Sequence, residues 1–78
     1  MKFEIQVMPR PEALDPQGRA VYGALSRMGF KLGDVRVGKA VVVDIQEVDQ
    51  KLALAKAKEM AEKLLYNPLI EVYEVRPL

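Results

Sequence analysis

The sequence predicts an α+β fold, a two-layer sandwich in which two helices cover one face of an antiparallel sheet. Strand-like alternation opens the chain at Lys2–Met8 and returns within Leu32–Gln46 and Leu69–Arg76. Helical periodicity fills the two stretches between, Pro16–Met28 and Asp49–Leu65. At 78 residues the chain is a single domain. The order is β-α-β-β-α-β, or β-α-β-α-β with one long middle strand, and both describe a ferredoxin-like architecture.

The first strand sets Phe3, Ile5 and Val7 on one face and Lys2, Glu4 and Gln6 on the other. Pro9-Arg10-Pro11 ends it, since two prolines in three residues cannot continue a ladder. The first helix starts at Asp15-Pro16-Gln17-Gly18. Asp15 is a good N-cap acceptor, and Pro16 fits the first helical position, where its missing N–H costs nothing. Gly18 in the first turn weakens the helix by about 0.5–1 kcal/mol relative to Ala, which points to a demand for bare backbone there. Val21, Ala24, Leu25 and Met28 form one apolar stripe, and Gly29 is the expected C′ residue.

Within Leu32–Gln46, Val35 and Val37 alternate with polar residues, Gly38-Lys39 interrupts, and Val41, Val43 and Ile45 resume the pattern. A tight turn at Gly38-Lys39 between two strands is the simplest account; a single strand bent at a glycine bulge is the other. Ala40 and Val42 leave the outer face half apolar, as expected of a surface covered by a second copy. In the second helix Ala53, Ala57, Met60, Ala61 and Leu64 mark the buried side, with Glu59 and Lys63 as an i, i+4 pair. Asn67-Pro68 stops it. The last strand alternates poorly, with Ile70 and Val72 on one face and Tyr73 and Val75 on the other. That pattern predicts burial on both sides or a bulge.

Composition removes most chemistry. There is no His, Cys, Thr or Trp, and Ser26 is the only serine. The usual nucleophile–base pairs and the commonest metal ligands are therefore missing. A net charge of +1 argues against charge-driven binding to nucleic acid or membranes. The N-terminus lacks the apolar core of a signal peptide, and no apolar run approaches the ~20 residues of a membrane span. Absence of cysteine fits a reducing cytoplasm. A chain this short buries only roughly 60–65 % of its unfolded surface, so self-association is a natural source of further burial.

Three segments are candidate sites. Gly38-Lys39 offers backbone amides and an ammonium to an anion, but no phosphate-loop pattern surrounds it, and a hairpin turn explains it as well. The amides at Asp15–Gly18 serve either a ligand or simple capping, and capping alone leaves Gly18 unexplained. Pro9–Glu12 is a stiff connector or a docking loop. Glu71 and Glu74 fall on opposite strand faces and fail as an acid–base pair. Tyr22, Tyr66 and Tyr73 are spread over three elements, unlike an RNA-stacking platform.

Leu14-Asp15-Pro16-Gln17-Gly18-Arg19-Ala20-Val21, followed by Val35-Arg36-Val37-Gly38-Lys39, resembles the PurS family. The likeness extends over the chain through the alanine-rich second helix, the Leu65-Tyr66-Asn67-Pro68 segment and the closing strand. It implies a noncatalytic small subunit of phosphoribosylformylglycinamidine synthase, in de novo purine biosynthesis. In that complex a PurQ glutaminase releases ammonia, and a PurL synthetase uses ATP and magnesium to activate the amide oxygen of formylglycinamide ribonucleotide. The small subunit self-associates as a homodimer or homotetramer, joins the two catalytic subunits and assists ammonia transfer, with no cofactor of its own. The resemblance points to Asp15, Pro16, Gln17, Gly18, Arg19, Arg36, Gly38 and Lys39 as assembly or partner contacts. The alternative is a regulatory module of the same fold that binds a small ligand at a dimer interface.

Overall fold

The computed structural model describes residues 1–78. Strand β1 (Lys2–Pro9) lies at the centre of a three-stranded antiparallel sheet, between β2 (Lys39–Asp44) and β3 (Glu71–Pro77). Helix α1 (Pro16–Arg27) joins β1 to β2; helix α2 (Gln50–Met60), extended by a π-helical turn at Ala61–Leu65, joins β2 to β3. The order is thus β-α-β-α-β, and the α+β, ferredoxin-like reading holds.

Register follows from the alternation. Ile5 stands opposite Val41 on one side and Val75 on the other, and Phe3 opposite Val43. Directly opposed residues share a face, so Phe3, Ile5, Val7, Val41, Val43, Tyr73 and Val75 form one apolar surface. Helix α2 lies on it through Ala53, Ala57 and Ala61, which are fully buried and small enough to let the helix backbone approach the sheet. Ile45 completes a core of seven residues. Asp49 caps α2 by accepting from the N–H groups of Lys51 and Leu52, at 2.8 and 3.1 Å. The chain ends are tied in as well. The Met1 ammonium donates to the Ile45 carbonyl at 2.8 Å, and Leu78 N–H to the Lys2 carbonyl at 3.0 Å.

Three expectations are corrected. There is no hairpin at Gly38-Lys39, and no long middle strand either: β2 starts at Lys39 and has six residues. Residues 35–37 pair with no strand: the Val35 N–H goes to the Asp34 side chain, the Val37 N–H to Asp15, and the Arg36 guanidinium to the loop after β1. The last strand is neither bulged nor covered on both sides. It is an edge strand in unbroken register, and Val72 simply faces outward on the open sheet face. Finally, α2 alone covers the sheet. Helix α1 is buried only at Gly18 and supplies nothing to the core or to the half-buried residues packed on it. Its caps form as predicted: Gly29 takes φ +97°, and Phe30 N–H donates to the Leu25 carbonyl at 3.2 Å. The local code therefore builds the helix, while its attachment points carry it away from the sheet. The chain is accordingly long, at 48 × 25 × 15 Å.

Candidate functional site

The attachment of α1 is built on one carboxylate. As N-cap, Asp15 accepts through Oδ1 from the Gly18 N–H at 2.9 Å. Its second oxygen is free to reach outward, and it accepts from the Val37 N–H at 3.0 Å, 22 residues along the chain. Arg36 Nε lies 3.9 Å from that same oxygen. The Asp15 side chain is only 11 % exposed. The Gly18 and Val37 amides hold its carboxyl below the usual value, helped by the Arg36 charge and opposed by desolvation.

Arg36 extends the tie to the loop after β1. Its guanidinium donates to the carbonyls of Arg10 at 2.6 Å and of Pro9 and Pro11 at 3.4 Å. The prolines give this loop fewer N–H groups of its own, so its carbonyls need donors from outside. Arg10 in turn donates twice to the Pro68 carbonyl, at 3.1 and 2.9 Å. The start of α1, the segment before β2, the loop after β1 and the turn before β3 are thus joined through two arginines and one aspartate. A polar hollow lined by Glu12, Asp15, Arg19, Tyr22, Asp34 and Arg36 opens beside them.

Both glycines of the candidate set are explained by close approach. A Cβ on Gly18 would lie 2.5 Å from the Val35 carbonyl oxygen and would also collide with the Asp15 carboxylate. A Cβ on Gly38 would collide with the Val7 carbonyl and the Met8 sulfur, because Gly38 enters the sheet against the end of β1. Of the eight candidate residues, the structure brings Asp15, Gly18 and Arg36 together in one hydrogen-bonded group. Pro16, Gln17, Arg19 and Lys39 are exposed around it. Arg10, Val35 and Val37 stand out in the sequence only as parts of the Pro9–Glu12 loop and of the family motif, not as members of one group with Asp15. Backbone groups of Val35 and Val37 do the work there, and side-chain patterns carry no signal for them.

The arrangement has no catalytic logic. Asp15 is saturated by donors, the arginines are spent on carbonyls, and no cluster of acidic side chains is disposed to hold a metal. Its effect is mechanical, since it fixes where α1 and its apolar stripe point. The two sequence segments that carry the family resemblance are the two ends of this clasp.

The family model described as "PurS: Phosphoribosylformylglycinamidine (FGAM) synthase" matches residues 2–77. This chain belongs to the PurS family. The PurS subunit of Bacillus subtilis is 42 % identical over 73 residues, covering 92 % of this chain and 86 % of that one. The PurS subunit of Thermotoga maritima is 33 % identical over 78 residues, covering 99 % and 95 %. Its crystal structure superposes with a TM-score of 0.92, covering 99 % of this chain and 90 % of that chain. A PurS chain in the structure of PurLQS from the same organism gives a TM-score of 0.91, at 33 % identity, covering 99 % and 95 %.

Proposed function

We propose that this PurS chain is the noncatalytic small subunit of a glutamine-dependent phosphoribosylformylglycinamidine synthase, where it bridges the PurL synthetase and the PurQ glutaminase. The observation that carries this reading is the match to a chain of the three-part PurLQS assembly over 99 % of the present one. The chemistry agrees. Lacking His and Cys, the chain holds neither a glutaminase nucleophile nor its base. ATP and magnesium belong to the synthetase partner, and this chain carries no cofactor. No helix is long and apolar enough to cross a membrane, and the workplace of the complex is the cytoplasm. The clasp residues Asp15, Gly18 and Arg36 act by shape, holding α1 as a contact element, while Pro16, Gln17, Arg19, Gly38 and Lys39 face partners around it.

Reconstitution tests the proposal. Purified PurL and PurQ from the same organism are assayed for formylglycinamidine ribonucleotide formation, with and without this chain. With glutamine as the nitrogen source, synthesis depends on the chain; with free ammonia, PurL proceeds without it. Equal glutamine-dependent rates in its presence and absence would remove the bridging role. Loss of the ammonia-supported rate would place its action on the synthetase instead.

A further inference from the structure

Helix α1 and the stretch that leaves it carry charge of one sign. Of the chain's 12 basic and 11 acidic residues, Pro16 to Gly33 holds three and none, so the remainder carries nine and eleven. The three are Arg19, Arg27 and Lys31, and all are exposed. The carboxylates that flank the stretch are engaged at its root. Asp15 accepts from the Gly18 and Val37 amides, and Asp34 accepts from the Val35 N–H at 2.9 Å. None of the three cations takes part in the ion pairs of the chain, which use the Met1 ammonium, Arg36, Lys56, Lys63 and Arg76.

Local structure accounts for only part of this pattern. Arg27 lies in the last turn of α1, where a cation complements the helix dipole. Arg19 stands near the amino end, where the same dipole disfavours it, and no acidic side chain occupies the first turn to offset it. Its charge therefore serves nothing within its own chain. At ~100° per residue, Arg19 and Arg27 both fall on the side of α1 away from Val21, Leu25 and Met28. Burial of that apolar stripe leaves the basic face open. The two arginines are also ~12 Å apart along the axis, too far to converge on one phosphate. The polar hollow beside the clasp includes Arg19 but neither Arg27 nor Lys31, and it sets Glu12 and Asp34 against an anion. The spread suits an extended surface rather than a small ligand.

From this we infer that the basic face of α1, formed by Arg19 and Arg27 with Lys31 beyond them, docks on an acidic surface of a catalytic subunit of the synthase. The inference rests on the reading of the chain as a bridging subunit, and it deepens that reading by naming the face and the sign of its partner. Three like charges on a protruding helix present their field ahead of an acidic body, which steers encounter and rejects a basic surface. The Asp15 clasp fixes the direction in which they point.

The reconstitution assay tests this when the chain is titrated into fixed PurL and PurQ with glutamine. One variant carries Arg19→Glu, Arg27→Glu and Lys31→Glu. A control carries the same charge change elsewhere, as Lys2→Glu, Lys51→Glu and Lys58→Glu. Circular dichroism and light scattering compare the fold and mass of both with the parent. The expected result is a half-saturating concentration raised at least about tenfold for the α1 variant and less than about twofold for the control, with the same rate at saturation. For the parent, the half-saturating concentration should also rise between about 50 and about 300 mM salt, as screening shortens the reach of the charges, while the α1 variant loses that dependence. The ammonia-supported rate serves as the reference for direct effects of salt on PurL. If the triple change alters the mass of the chain, Arg19→Gln with Arg27→Gln should still raise the half-saturating concentration about threefold. Unchanged half-saturation, an equal loss in the control, or a parent insensitive to salt would overturn the docking. A raised KM for a phosphate-bearing substrate at saturating chain would overturn it too, since the cations would then serve a ligand. A glutamine-dependent rate that needs the chain but ignores these variants removes only the basic face, whereas a rate that never needs the chain removes the bridging role itself.

Discussion

A methyl group added at Gly18 would press on the Val35 carbonyl oxygen at 2.5 Å and on the carboxylate that caps the same helix. Neither neighbour can yield cheaply, since one is backbone and the other is held by two amides. Gly18→Ala should therefore lower unfolding stability by about 1–3 kcal/mol, the usual range for overpacking, despite the better helix propensity of Ala. Gly33 has nothing within 4 Å of its added Cβ, so Gly33→Ala should stay within about 0.5 kcal/mol of the parent. Urea unfolding of both variants checks the contrast. Asp15 makes a second residue-scale prediction, in pH. Its carboxyl is held below the unfolded value of 3.8 in the native state by the Gly18 and Val37 amides. The unfolded chain thus binds the proton first as pH falls, so the stabilisation is fully present above about pH 4 and drains away in more acid solution. Glu47 and Glu59, also lowered from 4.5 through their lysine partners, act in the same window. Asp15→Asn should melt lower than the parent at pH 7, and its melting temperature should change less between pH 5 and pH 3. An identical slope in both proteins would show that the clasp carboxylate contributes nothing to acid sensitivity.

Helix α2 reaches the sheet because its contact row is alanine. Ala53, Ala57 and Ala61 are fully buried over Phe3, Ile5 and Val7, and that close approach leaves no room for a larger residue. Ala57→Leu should cost about 1–3 kcal/mol by forcing the helix outward, and Ile5→Ala about 2–5 kcal/mol by opening a cavity beneath it. Thermal unfolding of the two variants measures both. These elements were legible in the sequence because their signals are local: the period-two alternation of β1, the Asp-Pro start and Gly29 stop of α1, the Glu59–Lys63 pair on α2. The short β2 was not legible. Val35 and Val37 alternate as a strand would, but the Val37 amide is taken by a side chain 22 residues away, and no local pattern encodes that competition. For the same reason the clasp could be read only as two separate motifs. Asp15 was visible as a cap, its second oxygen was not, and Arg10 gave no sign that it would hold the Pro68 carbonyl. Helical periodicity gave α1 an apolar face but could not say what that face meets.

At the scale of the whole molecule, the relation of mass to size separates the ways in which two such chains can associate. One chain alone has a radius of gyration of 15.6 Å because α1 protrudes. Two chains paired edge to edge through β2, with both arms still extended, would form a longer particle, and the radius would rise well above that of one chain. Closure of each arm onto the other chain instead gives a compact body of twice the chain length, for which the expected radius is about 15 Å. The mass therefore doubles while the radius barely changes. Small-angle scattering and light scattering on one sample read both quantities. A two-chain particle with a radius near 15 Å agrees only with closed arms, whereas a two-chain particle above about 20 Å would mean that α1 remains extended and that its Val21–Met28 stripe is kept for a different subunit. Met28→Glu sharpens the distinction. The residue lies outside the core of its own chain, so the charge leaves the fold of each chain intact but puts a carboxylate on the stripe that arm closure would bury. If the arms close, the variant should run at single-chain mass with a radius near that of the extended chain, so that loss of half the mass occurs without any reduction in size.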